Sequence, residues 1–127
     1  MADKSKKLIA NELGDFAEEL AAQEYIKKGY AVLERKWRLG KTEIDIIAQK
    51  DNEIVIVEVK ARSGRNEDPL SAVTSDKRKR MIRAADNYLR RLEGDYFYRF
   101  DIATFSGDLQ NHSLSILEDA FVAADLF

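Results

Sequence analysis

The chain has 127 residues, 45% of them hydrophobic and 35% charged, with a formal net charge of −2 and no cysteine. That length suits one core-forming domain without covalent staples, and the lack of thiols excludes disulfide frameworks, thiolate catalysis and cysteine-ligated metals. A single histidine also excludes a histidine-rich metal site, so a bound metal would need oxygen ligands and be a hard cation such as Mg²⁺ or Mn²⁺.

No apolar run approaches the roughly 20 residues needed to cross a bilayer. The opening Met-Ala-Asp-Lys-Ser-Lys-Lys is not followed by the apolar segment of a secretory signal. The sequence therefore leads us to expect no membrane association and a reducing, cytoplasmic setting. The small net charge is unevenly spread. Residues 60–91 carry ten Lys/Arg against four Asp/Glu, and residues 92–127 carry one Arg against seven acids. A basic middle suits a polyanion bound on one face, and it equally suits a solvated charged helix.

In chain order, Ile9, Leu13, Phe16 and Leu20 recur at helical spacing within about Lys6 to Lys28, and Gly29 follows as a C-terminal cap. Tyr30 to Trp37 reads as a strand and Leu39-Gly40-Lys41 as a turn. Two strands at about 42–49 and 53–60 flank the turn signal Lys50-Asp51-Asn52-Glu53. A polar loop, SGRNED, leads to Pro69, and a long helix runs from about Thr74 to Leu92. Its stripe is Met81, Ile82, Ala85, Tyr88, Leu89 and Leu92. Gly94-Asp95 ends it, 96–105 reads as a strong strand, and a short strand lies around Ser113 to Leu117. Residues 118–127, acidic and partly apolar, read as a flexible or docking tail on a single domain spanning 1–127. A helix between strands 53–60 and 96–105 implies a right-handed crossover that makes them parallel, giving a mixed sheet with helices on both sides.

A two-residue hairpin loop pairs Lys50 with Glu53, and counting back pairs Asp45 with Glu58 and Glu43 with Lys60. Alternation along the strands then puts these four residues on one face. Opposed carboxylates destabilise a hairpin unless a cation lies between them, and a divalent metal fits. Solvated ion pairs such as Glu43–Lys60 are the plain alternative. Strand 53–60 argues against that, because Ile54, Val55, Ile56, Val57 and Val59 make it apolar on both faces. Asp45 and Glu58 thus read as metal ligands for phosphodiester hydrolysis, and Lys60 as the residue that orients water or stabilises developing charge.

On the first helix Glu12, Asp15, Glu19 and Gln23 share a polar face, while Glu18 lies among Gly14, Ala21, Ala22 and Tyr25. Small neighbours let that face approach the sheet, so Glu18 is either a third ligand or a boundary residue with a solvated tip. On the second helix Lys79, Arg80, Arg83, Arg90 and Arg91 gather on one broad side, with Lys77 and Arg78 nearer the sheet. Such residues position a phosphate backbone without reading sequence. Arg62, just beyond Lys60, is the expected phosphate contact closest to the reaction. His112 reads as structural or exposed, and Trp37 and the aromatics of YFYRF as core.

The stretches GDFAEELAAQEYIKKGYAVLERKWR, TEIDIIA, IVEVKAR, AVTSDKRKRMIRAADNYL and RFD resemble the YraN-like family of uncharacterised bacterial proteins. That family is assigned to the restriction-endonuclease-like superfamily with the PD-(D/E)xK motif. The resemblance implies an α/β fold with an αβββαβ core, and Mg²⁺- or Mn²⁺-dependent cleavage of nucleic acid, DNA foremost, in repair or recombination. The superfamily pattern carries over to Asp45, Glu58 and Lys60, with Glu18 at the first-helix glutamate and Lys77 at a recurrent helix lysine. Ala17 stands where the family usually has Gly, and Lys36 where an Asn is usual. Kinship with Holliday-junction resolvases, which act as dimers, makes a homodimer an expectation. Two further functions compete with the nuclease. One is a non-catalytic nucleic-acid-binding module on the same fold, and the other is an interaction domain that docks through its tail.

Overall fold

A computed structural model describes residues 2–62 and 68–126, with the side chains of 11–61 and 68–126. Helix α1 (Ala2–Lys27) comes first. It ends because Gly29 takes φ +93°, a conformation open to glycine. The Tyr30 N–H then reaches back to the Tyr25 carbonyl and the Gly29 N–H to the Ile26 carbonyl, both at 3.0 Å, which closes a Schellman cap.

Strands β1 (Ala31–Leu39), β2 (Thr42–Lys50) and β3 (Glu53–Arg62) follow as an antiparallel meander. After a 3₁₀ turn (Pro69–Ala72) comes helix α2 (Ser75–Leu89), and then β4 (Phe97–Gly107) runs parallel to β3. Strand β5 (His112–Phe121) pairs antiparallel with β4, so the described residues form a mixed five-stranded sheet in the order β1-β2-β3-β4-β5. The fold is α/β, with one helix on each face. The SGRNE part of the expected loop, residues 63–67, lies outside the described residues.

Each helix covers one face through residues chosen by periodicity. Ala21, Ala22 and Tyr25 of α1 pack on Ile46, Ala48, Val55, Val57 and Ala103. Met81, Ile82, Ala85 and Tyr88 of α2 pack on Ile47, Ile54, Ile56, Phe100 and Ile102. Ile54, Val55, Ile56 and Val57 therefore have no exposed surface, as an all-apolar strand requires, and each contributes about 1.5–3 kcal/mol of burial.

Several boundaries differ from the sequence reading. Thr74 is the N-cap of α2 rather than its first residue, its side chain accepting the Lys77 N–H at 3.2 Å. The acidic "tail" begins as strand, because β5 continues to Phe121, which is buried and stacked on Phe100 with ring centroids 4.7 Å apart, and a 3₁₀ turn (Ala123–Asp125) follows. The pattern was hidden because β5 bulges. Pairing shifts between Phe100 and Ile102, and Asp119 takes φ +53°. The aromatics of 96–100 are not all core. Phe97 is 72% exposed because it pairs with Glu53 at the sheet's rim, level with the β2–β3 turn. Trp37 is packed as expected, edge-on to Tyr88 at 5.1 Å. His112 is exposed, its Nδ1 lying 3.1 Å from the Asp108 carbonyl oxygen and its ring stacked on Phe105.

A candidate metal centre where two strands part

The β2–β3 ladder follows the expected register from Lys50–Glu53 to Ile46–Val57 and ends there. Asp45 and Glu58 are the next pair in sequence, so they stand where the strands separate. Across β1, the pairs Arg35–Ile46 and Trp37–Ile44 leave Lys36 beside Asp45, and Lys36 takes φ +53°. Ile44 belongs to the core under α2, whereas Ile46 belongs to the core under α1. Alternation therefore breaks at Asp45. Its carboxylate turns into the gap between the strands, and Oδ2 accepts the Val59 N–H at 2.7 Å.

This corrects the expectation that Asp45, Glu58, Lys60 and Glu43 share one face. Asp45 and Glu43 line a cleft of about 240 Å³ on the α1 side, together with Asp15, Glu18, Lys36 and Val59. Glu43 pairs with Arg38 at 2.7 Å, not with Lys60. Glu58 lies on the α2 side, where its Oε1 is 2.8 Å from Lys77 Nζ and 3.6 Å from Lys60 Nζ. The local kink at Lys36 and the end of the ladder cause the difference, and neither is visible to a period-2 count.

The electrostatics are those of a carboxylate pair partly shielded from water, with Glu58 buried and Asp45 half-buried. Burial, and then the charge on Glu58, push Asp45 up from 3.8 to about 7, against the opposing pull of the Val59 N–H and of Lys77. Glu58 is 3% exposed, and its Oε2 is buried without a hydrogen-bond partner. Thr104 Oγ1 shares that condition. Thr104 pairs with Lys60 across β3–β4, which brings it to the same neighbourhood. The sequence reading missed Thr104. Its only signal was a hydroxyl within the otherwise apolar run Ile102-Ala103-Thr104-Phe105.

Glu18 is 6% exposed, so the solvated-tip alternative is wrong. It lines the cleft, and its Oε1 is held 3.3 Å from Arg35 Nε, while Arg35 Nη1 binds Glu19 at 2.6 Å. Arg78 does not stand out as a phosphate contact. Its guanidinium donates to the carbonyls of Val73 (2.8 Å) and Leu70 (2.9 Å), the latter also accepting the Val73 N–H within the 3₁₀ turn. Lys77 does face the site, through Glu58. The side chain of Arg62 lies outside the described residues.

Whether a divalent cation fits is decided by these oxygens. Among the described residues no three acidic or histidine side chains are gathered to enclose a metal. Two hard carboxylates are nonetheless adjacent, one with a buried oxygen lacking a partner, and Mg²⁺ characteristically takes one or two carboxylates and completes its shell with water and phosphate. The donor set fits a two-carboxylate site, with Glu18 alongside.

An αβββαβ order, a mixed sheet with a helix on each face, and acidic and lysine side chains where the hairpin opens define a restriction-endonuclease-like α/β protein. The chain belongs to the uncharacterised protein family UPF0102, whose model matches residues 17–105, in keeping with the YraN-like resemblance. It is 42% identical over 112 residues to a UPF0102 protein of Phocaeicola vulgatus, covering 87% of this chain and 93% of that protein. A UPF0102 protein of Bacteroides thetaiotaomicron is 43% identical over the same shares. One from Roseiflexus castenholzii is 39% identical over 109 residues, 82% of this chain and 86% of its own. These names state no activity, so function must be argued from the site. Among the described residues no helix is long and apolar enough to cross a membrane.

Proposed function

We propose that this chain is a cytoplasmic Mg²⁺- or Mn²⁺-dependent nuclease that hydrolyses nucleic-acid phosphodiesters, DNA foremost. The observation that carries this is the buried, partnerless Glu58 Oε2 beside an Asp45 held up at about 7. Folding alone gains nothing from a buried, unsatisfied carboxylate set beside a second, half-buried one, and such groups concentrate at functional sites. Asp45 and Glu58 would hold the cation, with Glu18 released from Arg35 to complete or tune the site. The cation would supply charge to the phosphoryl oxygens of the transition state.

The chain's own side chains do the rest. Lys60, 31% exposed and next to Glu58, orients the attacking water or meets the charge that develops as the phosphodiester breaks. Lys77 and the basic side of α2 hold phosphates without reading bases, which suits a substrate chosen by shape.

Incubation of supercoiled plasmid and of a four-way DNA junction with Mg²⁺ or Mn²⁺ tests this reading. Cleavage should appear and should fall at least about a hundredfold in Asp45→Asn and Lys60→Ala variants that retain their circular dichroism. No cleavage of any DNA or RNA form with either metal would refute it.

One observation favours a second reading, a non-catalytic binding module. Glu58 Oε1 is already neutralised by Lys77 at 2.8 Å, so the protein stands without a metal. Salt-dependent nucleic-acid binding that is indifferent to Asp45→Asn, with no turnover, would select it.

A further inference from the structure

We propose that Lys77 holds Glu58 until a divalent cation takes that carboxylate, and that the displaced ammonium then binds substrate phosphate, coupling metal binding to nucleic-acid binding. This rests on the metal-dependent reading above and names a positioning residue for it.

Glu58 is too buried to remain a lone anion, so it needs a cation at all times. Lys77 meets that need at 2.8 Å and Lys60 assists at 3.6 Å, both on Oε1, while Oε2 is left without a partner. A double charge set between Glu58 and Asp45 would stand beside the Lys77 ammonium, and like charges at such range repel strongly where water is scarce. One of the two must move.

Lys77 is the group free to go. It sits in the first turn of α2, where the helix dipole favours the neighbouring Asp76 and disfavours a cation, so Glu58 is what keeps it folded inward. Its side chain is 32% exposed, which leaves a path outward. Lys60, two residues from Glu58 on β3, stands farther from Oε1 at 3.6 Å, so Lys77 at 2.8 Å is the ammonium that a cation on Glu58 meets first. A released Lys77 stays tethered at the N-terminus of α2 beside the site, and a phosphate is the anion that replaces Glu58. Metal alone leaves Lys77 unpaired, and nucleic acid alone leaves it on Glu58. Each ligand therefore favours the other, reciprocally.

The test is calorimetric titration of Mn²⁺ into the wild type, Lys77→Met and Glu58→Gln, with and without a cleavage-resistant phosphorothioate duplex. Lys77→Met should bind Mn²⁺ alone roughly tenfold more tightly than the wild type, because the competing cation is gone. The wild type should show a several-fold mutual tightening of Mn²⁺ and duplex that vanishes in that variant, and Glu58→Gln should bind Mn²⁺ poorly throughout. Unchanged Mn²⁺ affinity in Lys77→Met, with normal binding by the wild type, would overturn the exchange and leave the metal reading standing. No Mn²⁺ binding by the wild type, with or without duplex, would overturn both. If the methionine variant fails to fold, Lys77→Gln replaces it. The lysine ammonium NMR signal of the wild type then gives a direct readout. It should shift and broaden for Lys77 on adding Mg²⁺, and an unmoved signal at saturating Mg²⁺ would overturn the exchange.

Discussion

The Val59 N–H donates to Asp45 Oδ2 at 2.7 Å, one residue beyond Ile46 and two beyond Val57, where the β2–β3 ladder stops. A side chain has taken over a role that a strand carbonyl would otherwise fill. The contact fixes the Asp45 carboxylate in the gap, half-buried and beside Glu58, and this placement raises its proton affinity.

The consequence is a pH-dependent cost. Asp45 titrates at about 7 in the folded chain against an ordinary 3.8, so the folded state binds its proton more tightly than the unfolded state. The stability this gives is complete below 3.8 and is lost as pH rises through about 7. Asp45→Asn should therefore be more stable than the wild type at about pH 8, by about 1–3 kcal/mol once a weaker bond to Val59 is allowed for. At about pH 4 that advantage should be gone. Urea unfolding at both pH values measures it, and a wild type more stable than the variant at the higher pH would contradict the burial argument.

Metal should stabilise the fold through the same two carboxylates. At about a hundredfold excess over its dissociation constant, Mn²⁺ should add about 2.7 kcal/mol to unfolding of the wild type. Chelation should reverse the gain, and Glu58→Gln should show little of it. Thermal unfolding with and without chelator reads the difference.

Asp101 should be among the most sensitive positions in the fold. It is wholly buried, accepts Tyr25 Oη at 2.6 Å and Arg99 Nε at 2.9 Å, and pins the β5 bulge through the Asp119 N–H at 3.0 Å. Asp101→Ala strands the Tyr25 and Asp119 donors and leaves Arg99 with Glu53 at 2.9 Å and Glu118 at 3.7 Å as its remaining carboxylates, at about 3–5 kcal/mol. Tyr25→Phe removes one donor and should cost about 1 kcal/mol. Denaturant midpoints should rank the two in that order.

Lys36 is a residue to improve. Its φ of +53° suits Asn or Gly far better than a long side chain, and its exposed pair with Asp15 contributes little. Lys36→Asn should stabilise by about 0.5–1 kcal/mol without loss of cleavage. A fall in stability would mean that the Asp15 pair outweighs the backbone strain.

Much of the fold was legible because periodicity reports burial directly. The stripe of Met81, Ile82, Ala85 and Tyr88, the two-sided apolar strand and the small residues flanking Glu18 all face where their spacing places them. Strand β5 was cut short because the bulge at Asp119 interrupts its alternation, so the buried Phe121 looked like part of a tail. The structural role of Arg99-Phe100-Asp101 was hidden for a different reason. The partners of Asp101 come from Tyr25 and Asp119, 76 and 18 residues away.

The sequence by itself determined which residue types could act: carboxylates at Asp45, Glu58 and Glu18, a lysine two places after Glu58, and a basic second helix. Local spacing also set the hairpin register, because a two-residue turn leaves one pairing. Only the tertiary structure decided which carboxylate faces which cation. The parting of β2 and β3 turns Asp45 into the gap, packing of α2 delivers Lys77 to Glu58, and β1 delivers Arg35 to Glu18. Those pairings join elements through space, and charge meets charge by distance rather than by position along the chain.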